Sequence, residues 1–248
     1  MTVPRFPISF PDGHVALAVR ADPRTDLPRA LRAMGLTTGI PTIVLVHIGS
    51  RPAQLSRLGP LLEKVVVPVA GAVDGVLVDD GTHGALATLL TAARRRCEAG
   101  FPLLGVAAEG ADLEDLDSGH THFVLVPADH RPEIAGWIAS VATAVAGGNR
   151  SVALALAGGE PAWESLAAQI RADRVVMAVA RSGGVADQLA AALAGRPADG
   201  RAHELAASGH IFAVDPARGA AHVADTLRSA LSRPDALNPA PQEGVPQH

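Results

Sequence analysis

The chain has 248 residues, enough for one large α/β domain or two small ones. Hydrophobic residues make up 48% against 3% aromatic, and tyrosine is absent, so the core must be built from Ala, Val and Leu, which suits helices packed on a buried parallel sheet. The net charge of −4 argues against a nucleic-acid surface, the single cysteine, Cys97, excludes an intramolecular disulfide, and no apolar run is long enough for membrane insertion.

The opening Met1-Thr2-Val3-Pro4-Arg5 does not read as a signal peptide, so a cytoplasmic protein is expected. Ile8 and Phe10, then Val15, Leu17 and Val19, alternate around the turn signal Pro11-Asp12-Gly13-His14, which predicts a β-hairpin. Leu27 to Leu36 follows as a short helix carrying Leu31 and Met34 inward. Thr42–Val46 is a buried-type strand leading into His47-Ile48-Gly49-Ser50-Arg51. The next helix, broken near Gly59-Pro60, carries Leu58, Leu61, Leu62 and Val65 on one face.

The stretch from Asp74 to Arg96 reads as strand, tight loop, helix. Val76, Leu77 and Val78 are the strand and Asp79-Asp80-Gly81-Thr82-His83-Gly84 the loop. Leu86, Leu89, Leu90 and Ala93 then fall at helical spacing. Gly81 suits a positive φ, Thr82 is placed to cap the helix, and Gly84 leaves room beside its first turn, whose free N–H groups attract polar or anionic groups. Arg94, Arg95 and Arg96 end that helix, where positive charge is favoured, and Cys97 is expected to be a partly buried small apolar residue.

Strands follow at Leu103–Ala107, Phe123–Val126, Val152–Leu156, Val175–Val179 and Ile211–Val214, with a polar loop from Ala108 to Gly119. Helices are expected around Ile134, Trp137, Ile138 and Val141, around Trp163, Leu166 and Ile170, around Ala186, Leu189 and Leu193, and around Val223, Leu227 and Leu231. The alternation predicts an α/β fold: a Rossmann-like, mostly parallel, doubly wound sheet with helices on both faces, preceded by an N-terminal β-hairpin. Residues 1–40 form the hairpin and short helix packing on the main domain, 41–231 the ligand-binding domain, and the Pro-rich 232–248 a disordered tail.

In such a sheet ligands bind beyond the carboxyl ends of the strands. Four strands end in small or polar loops, which marks Gly49, Ser50, Arg51, Asp79, Asp80, Gly81, Thr82, Gly84, Gly158, Gly159, Glu160, Ser182 and Gly183 as candidate ligand-binding residues. Backbone amides of the glycine loops would hold phosphates, and Asp79 or Asp80 ribose hydroxyls or a bound cation. Arg51 or Arg181 could clamp a phosphate, whereas Ser182 reads as a helix cap and Glu160 as a carboxylate placed for the helix dipole. His47, His83, His120 and His122 with Asp80 do not show metal-ligand spacing, so solvated or capping histidines and no metal are expected.

The run from Pro41 to Leu193 resembles the prokaryotic branch of the SLOG superfamily related to the N-terminal regions of TRPM channels. The matching pieces are IVLVHIGS (43–50), VDGVLVDDGTHGALATL (73–89), HTHFVLVPADHRPEIAGWIASVATAVAG (120–147), LALAGGEPAWESLAAQI (154–170) and RSGGVADQLAAAL (181–193). The resemblance implies a Rossmann-like domain that senses a nucleotide-derived small molecule such as ADP-ribose. No other cofactor is implied. The partners expected are that ligand and a second copy of the chain or an effector protein, with no nucleic acid. Where members of the branch tend to carry Gly-Gly and Asp-Gly-Gly-Thr, this chain has Gly49-Ser50 and Asp79-Asp80-Gly81-Thr82. Asp80 is therefore expected to narrow the crevice and add charge. Two alternatives are a LOG-like nucleoside-monophosphate hydrolase, whose loop carries a Glu that this chain lacks after Gly84, and a scaffold protein with a degenerate crevice.

Overall fold

The computed structural model describes residues 3–47, 58–128 and 130–232. Nine strands form one sheet: β1 (Arg5–Ser9), β2 (Val15–Arg20), β3 (Thr42–Val46), β4 (Val76–Asp79), β5 (Leu103–Ala108), β6 (His122–Val126), β7 (Ser151–Ala155), β8 (Val175–Val179) and β9 (Ile211–Val214). Their spatial order is β1-β2-β6-β5-β4-β3-β7-β8-β9, and every pair is parallel except β1 with β2. The α/β, doubly wound reading therefore holds. The hairpin does more than pack on the sheet, because β2 pairs directly with β6 and widens it.

Each central strand is buried on both faces, so its side chains feed two cores by simple alternation. Val44 and Val46 of β3 join one core with α1 (Leu27–Ala33), α5 (Arg131–Ala146), α6 (Ala162–Arg171), α7 (Gly184–Leu193) and α8 (Gly200–Ala207). Ile43 and Leu45 join the other, with α2 (Leu58–Leu61), α3 (Val67–Ala72), α4 (Ala85–Arg96) and α9 (Ala220–Ser232). Aliphatic side chains supply nearly all of this area, at roughly 25 cal/mol per Å² removed from water.

Two elements differ from the sequence reading. Residues 48–57, ahead of Gly59-Pro60, lie outside the described ones, but from Leu58 onward α2 runs through a π-turn at Leu62–Val66 into α3, which the apolar spacing did not predict. Pro68 explains the wide turn. Proline has no N–H and clashes with the carbonyl four residues back, and the register shift, with Val67 N–H bonded to Leu62 O, accommodates both. Helix α8 was not expected. Its apolar face is little more than Ala202, and its start is fixed by the Asp199 carboxylate on the Arg201 amide.

The β1 edge has a defined polarity. Leu17 N–H bonds Thr121 O and Ala21 N–H bonds Leu125 O, so odd-numbered amides of β2 face β6 and even ones face β1. Opposite Ala18 and Ala16 stand Phe6 and Ile8, which leaves Pro7 at an outward-facing position on the free edge.

Candidate functional site

Strands β4, β3, β7 and β8 are neighbours, all parallel, so the four turns singled out in the sequence leave the same edge of the sheet. The chain adds strands in one direction from β3 to β6, then crosses back to place β7 on the other side of β3. The gap between the carboxyl ends of β3 and β7 is therefore a topological switch point, where α/β sheets open a crevice. Gly49, Ser50 and Arg51 of the β3 turn lie outside the described residues.

The β4 turn folds back over β5. Asp79 stands opposite Gly105, and beyond it Gly81 takes φ 65° with its Cα against Gly105. A Cβ on Gly105 would lie 2.6 Å from Gly81 Cα and 2.7 Å from the Phe123 ring, so glycine is required at both levels. Thr82 then bridges to Leu116, His83 N–H bonds Asp115 O, and Asp117 N–H bonds Gly81 O.

The carboxylates of this turn face inward. Asp79 Oδ1 accepts the Gly81 amide at 2.8 Å and His120 Nε2 at 2.7 Å, while the other ring nitrogen of His120 lies 3.0 Å from Asp117 Oδ2. His120 is 1% exposed, so the expectation of a solvated or capping histidine is corrected. Burial alone would depress the imidazole, but Asp79 and Asp117 outweigh it and push it up to about 10. Burial also opposes the charge on Asp79, and His120 overcomes it and holds that carboxyl below its ordinary range. The cluster is thus a buried ion triad. Asp80 does not project freely either, since its Oδ1 accepts both the amide and the hydroxyl of Thr82. Thr82 is consequently not the helix cap. Gly84 is, without a side-chain cap, and nothing lies within 4 Å of where its Cβ would be.

The β7 and β8 turns lock together. Ala157 and Gly158 take φ 51° and 85°, and their carbonyls accept the amides of Ala186 and Val185 at the start of α7. A Cβ on Gly184 would lie 2.0 Å from Gly158 O. Ser182 is a staple between strand ends rather than the cap of α7, which is Gly183: its hydroxyl donates to Val179 O at 2.6 Å and accepts the Ala157 amide at 2.9 Å. Gly159 O accepts the amide of Ala162 at the start of α6. Glu160 is gripped by both arms of Arg201, whose guanidinium lies 4.7 Å over the Trp163 ring, and Arg181 pairs with Asp215.

The strand-end turns thus share one edge, but most of their charged side chains are engaged with one another. The pairing of His120 with Asp79 and Asp117 escaped sequence reasoning because it depends on a contact across β5. Cys97 is exposed rather than partly buried, and Arg94 bonds Gly119 O and Phe101 O. Among the described residues, no group of three or more His, Cys, Asp or Glu could hold a metal ion, and no helix is long and apolar enough to cross a membrane.

A family model described as SLOG in TRPM, prokaryote, matches residues 40–225. No curated protein matches. Among solved structures, the X-ray structure of TM1055, a Northeast Structural Genomics Consortium target, is similar at 15% identity and a TM-score of 0.46, over 60% of this chain and 80% of that one.

Proposed function

Because the chain belongs to the family described as SLOG in TRPM, prokaryote, we propose that it is a sensor domain that binds a nucleotide-derived small molecule of the ADP-ribose class at the carboxyl ends of β4, β3, β7 and β8. The observation that carries this reading is the switch point: the chain reverses between β3 and β7, with glycine-bearing turns on both sides. The uncapped, unobstructed start of α4 at Gly84 adds amides and a helix dipole on the same edge.

Binding without turnover is favoured over hydrolysis. In the turn comparable to the hydrolase loop, Asp79 is consumed by Gly81 and His120 and Asp80 by Thr82. Neither is left to stabilise a ribosyl cation. The test is a thermal-shift series with AMP, ADP, NAD and ADP-ribose. A ligand at a hundred times its Kd stabilises the fold by about 2.7 kcal/mol, a rise of several degrees. Flat melting temperatures at millimolar concentrations of all four would end this reading.

A further inference from the structure

Glu160, Trp163, Asp199 and Arg201 form a closed set on the surface. Glu160 stands just ahead of α6 and Trp163 in its first turn. The Arg201 guanidinium lies over the indole, gripped by Glu160 and by Asp199. Asp199 gives its Oδ1 to the Arg201 amide and its Oδ2 to the guanidinium. Arginine covers two other rings in the chain, Arg20 over Phe6 and Arg94 over Phe101.

The start of α5 repeats this arrangement without the arginine. Glu133 and Trp137 are four residues apart on one helix face, and a helical side chain leans back towards the N-terminus, so the indole reaches towards Glu133. Asp22, from the loop ahead of α1, supplies the second carboxylate. Its Oδ1 is taken by the Arg24 amide and the Thr25 hydroxyl, and among the described residues its Oδ2 has no hydrogen bond. These three residues, with Pro23, Thr25 and Leu27, line an open groove of about 460 Å³. Among the described residues no Lys, Arg or His lines it. Arg24 follows Asp22 at the spacing by which Arg201 follows Asp199, yet it stays outside the groove. Glu133 meets His130 at 3.4 Å, a partner that is cationic only when protonated. A Cβ on Gly136 would meet nothing within 4 Å, so the groove is uncovered beside the indole.

We propose that this groove is a docking site for an arginine side chain presented by a basic partner protein, seated over Trp137 between Glu133 and Asp22 as Arg201 is seated over Trp163 between Glu160 and Asp199. An indole face flanked by carboxylates attracts a cation. A guanidinium fits better than an ammonium, because it is planar, weakly hydrated, and can stack while its N–H groups pair with both acids. The net charge of −4 favours a partner of opposite sign over a second copy of the chain. The inference stands apart from the nucleotide reading.

The experiment titrates the whole protein with the capped tripeptides Gly-Arg-Gly, Gly-Lys-Gly and Gly-Gln-Gly and follows the indole N–H resonances of Trp137 and Trp163, the chain's two tryptophans. The arginine peptide should move the Trp137 resonance saturably in the millimolar range, the lysine peptide about threefold more weakly or worse, and the glutamine peptide not at all. Glu133→Gln, at an exposed position, leaves the core alone and should weaken the arginine peptide about fivefold. Trp137→Leu should abolish its binding, read on the amides of α5. Arg201→Ala vacates the filled set and should add a second site, read at Trp163. No saturable movement of Trp137 at tens of millimolar arginine peptide would overturn the proposal. Equal affinity for the three peptides, or unchanged binding in Glu133→Gln, would do the same. Binding that appears only in Arg24→Ala would assign the groove to the chain's own Arg24 and overturn the partner. A wild-type dimer that Trp137→Leu dissolves would put a second copy there and likewise overturn it. Binding or non-binding of nucleotides bears on none of these outcomes.

Discussion

His120 and Asp79 meet at 2.7 Å across the width of β5, joining the segment before β6 to the last residue of β4. Both are nearly inaccessible, and Asp117 closes the triad from the other side of the imidazole. Removing the cation strands two buried carboxylates, so His120→Gln should cost about 3 kcal/mol or more. The pH profile should change too. The imidazole is raised in the folded state, so its stabilisation is full below about 6.5 and fades as pH climbs towards about 10, by up to ~1.4 kcal/mol per unit. Asp79 is lowered, so its share is present above the ordinary carboxylate range and fades on acidification. Urea denaturation from pH 6 to 10 should show a steep decline for the wild type and a flatter one for His120→Gln. Equal slopes would mean that the ring is neutral in the native protein.

Gly105→Ala probes the same region by volume alone. The added methyl would run into the Gly81 backbone and the Phe123 ring, neither of which can retreat. The expected loss is about 1–3 kcal/mol, with faster amide exchange at Gly81 and Asp117 as the β4 turn lifts. Gly84→Ala meets open space and should leave stability within about 1 kcal/mol of the wild type.

Ser182→Ala removes a hydroxyl that serves two backbone groups and leaves the Ala157 amide buried without its acceptor. About 1–3 kcal/mol should be lost, read by denaturant midpoint. Ser182→Thr keeps the hydroxyl and should recover part of that loss. No recovery would show that the space around residue 182, rather than its hydrogen bonds, is what matters.

Arg174 is 2% exposed and is held by neutral acceptors: Ser151 Oγ, Gln169 Oε1, Ala139 O and Thr143 Oγ1. Burial pulls its guanidinium down to about 10. The fork ties α5, α6, β7 and β8 together below the sheet. Arg174→Lys keeps charge but cannot reach four acceptors and should cost about 2–4 kcal/mol. Arg174→Met abandons the charge and should cost less than the lysine variant. The reverse order in thermal melts would refute this account.

Much of the fold could be read from residue spacing, because continuous apolar runs such as Ile43–Val46 and Val152–Leu154 suit strands buried on both sides and recur between helical patterns. The convergence of the turns followed from parallel strands alone. The site's wiring was not readable, for a physical reason. Asp79 is separated in sequence from Asp117 and His120 by β5, and the missing side chain of Gly105 leaves the room for the β4 turn to fold back over that strand. Thr82 and Ser182 looked like caps because short hydroxyls before a helix commonly are. Each found a nearer partner instead, Thr82 in the Asp80 carboxylate and Ser182 in Val179 O. The π-turn ahead of Pro68 was hidden since apolar periodicity does not reveal which carbonyl an amide selects.

Pro7 bears on what the free margin of the sheet can pair with. An incoming peptide laid along β1 needs a row of amides to grip, and the middle rung of that ladder is missing. One imino acid thus interrupts the hydrogen-bond ladder that edge-to-edge growth of the layer from this margin would use, whether by swapping hairpins or by stacking into fibres.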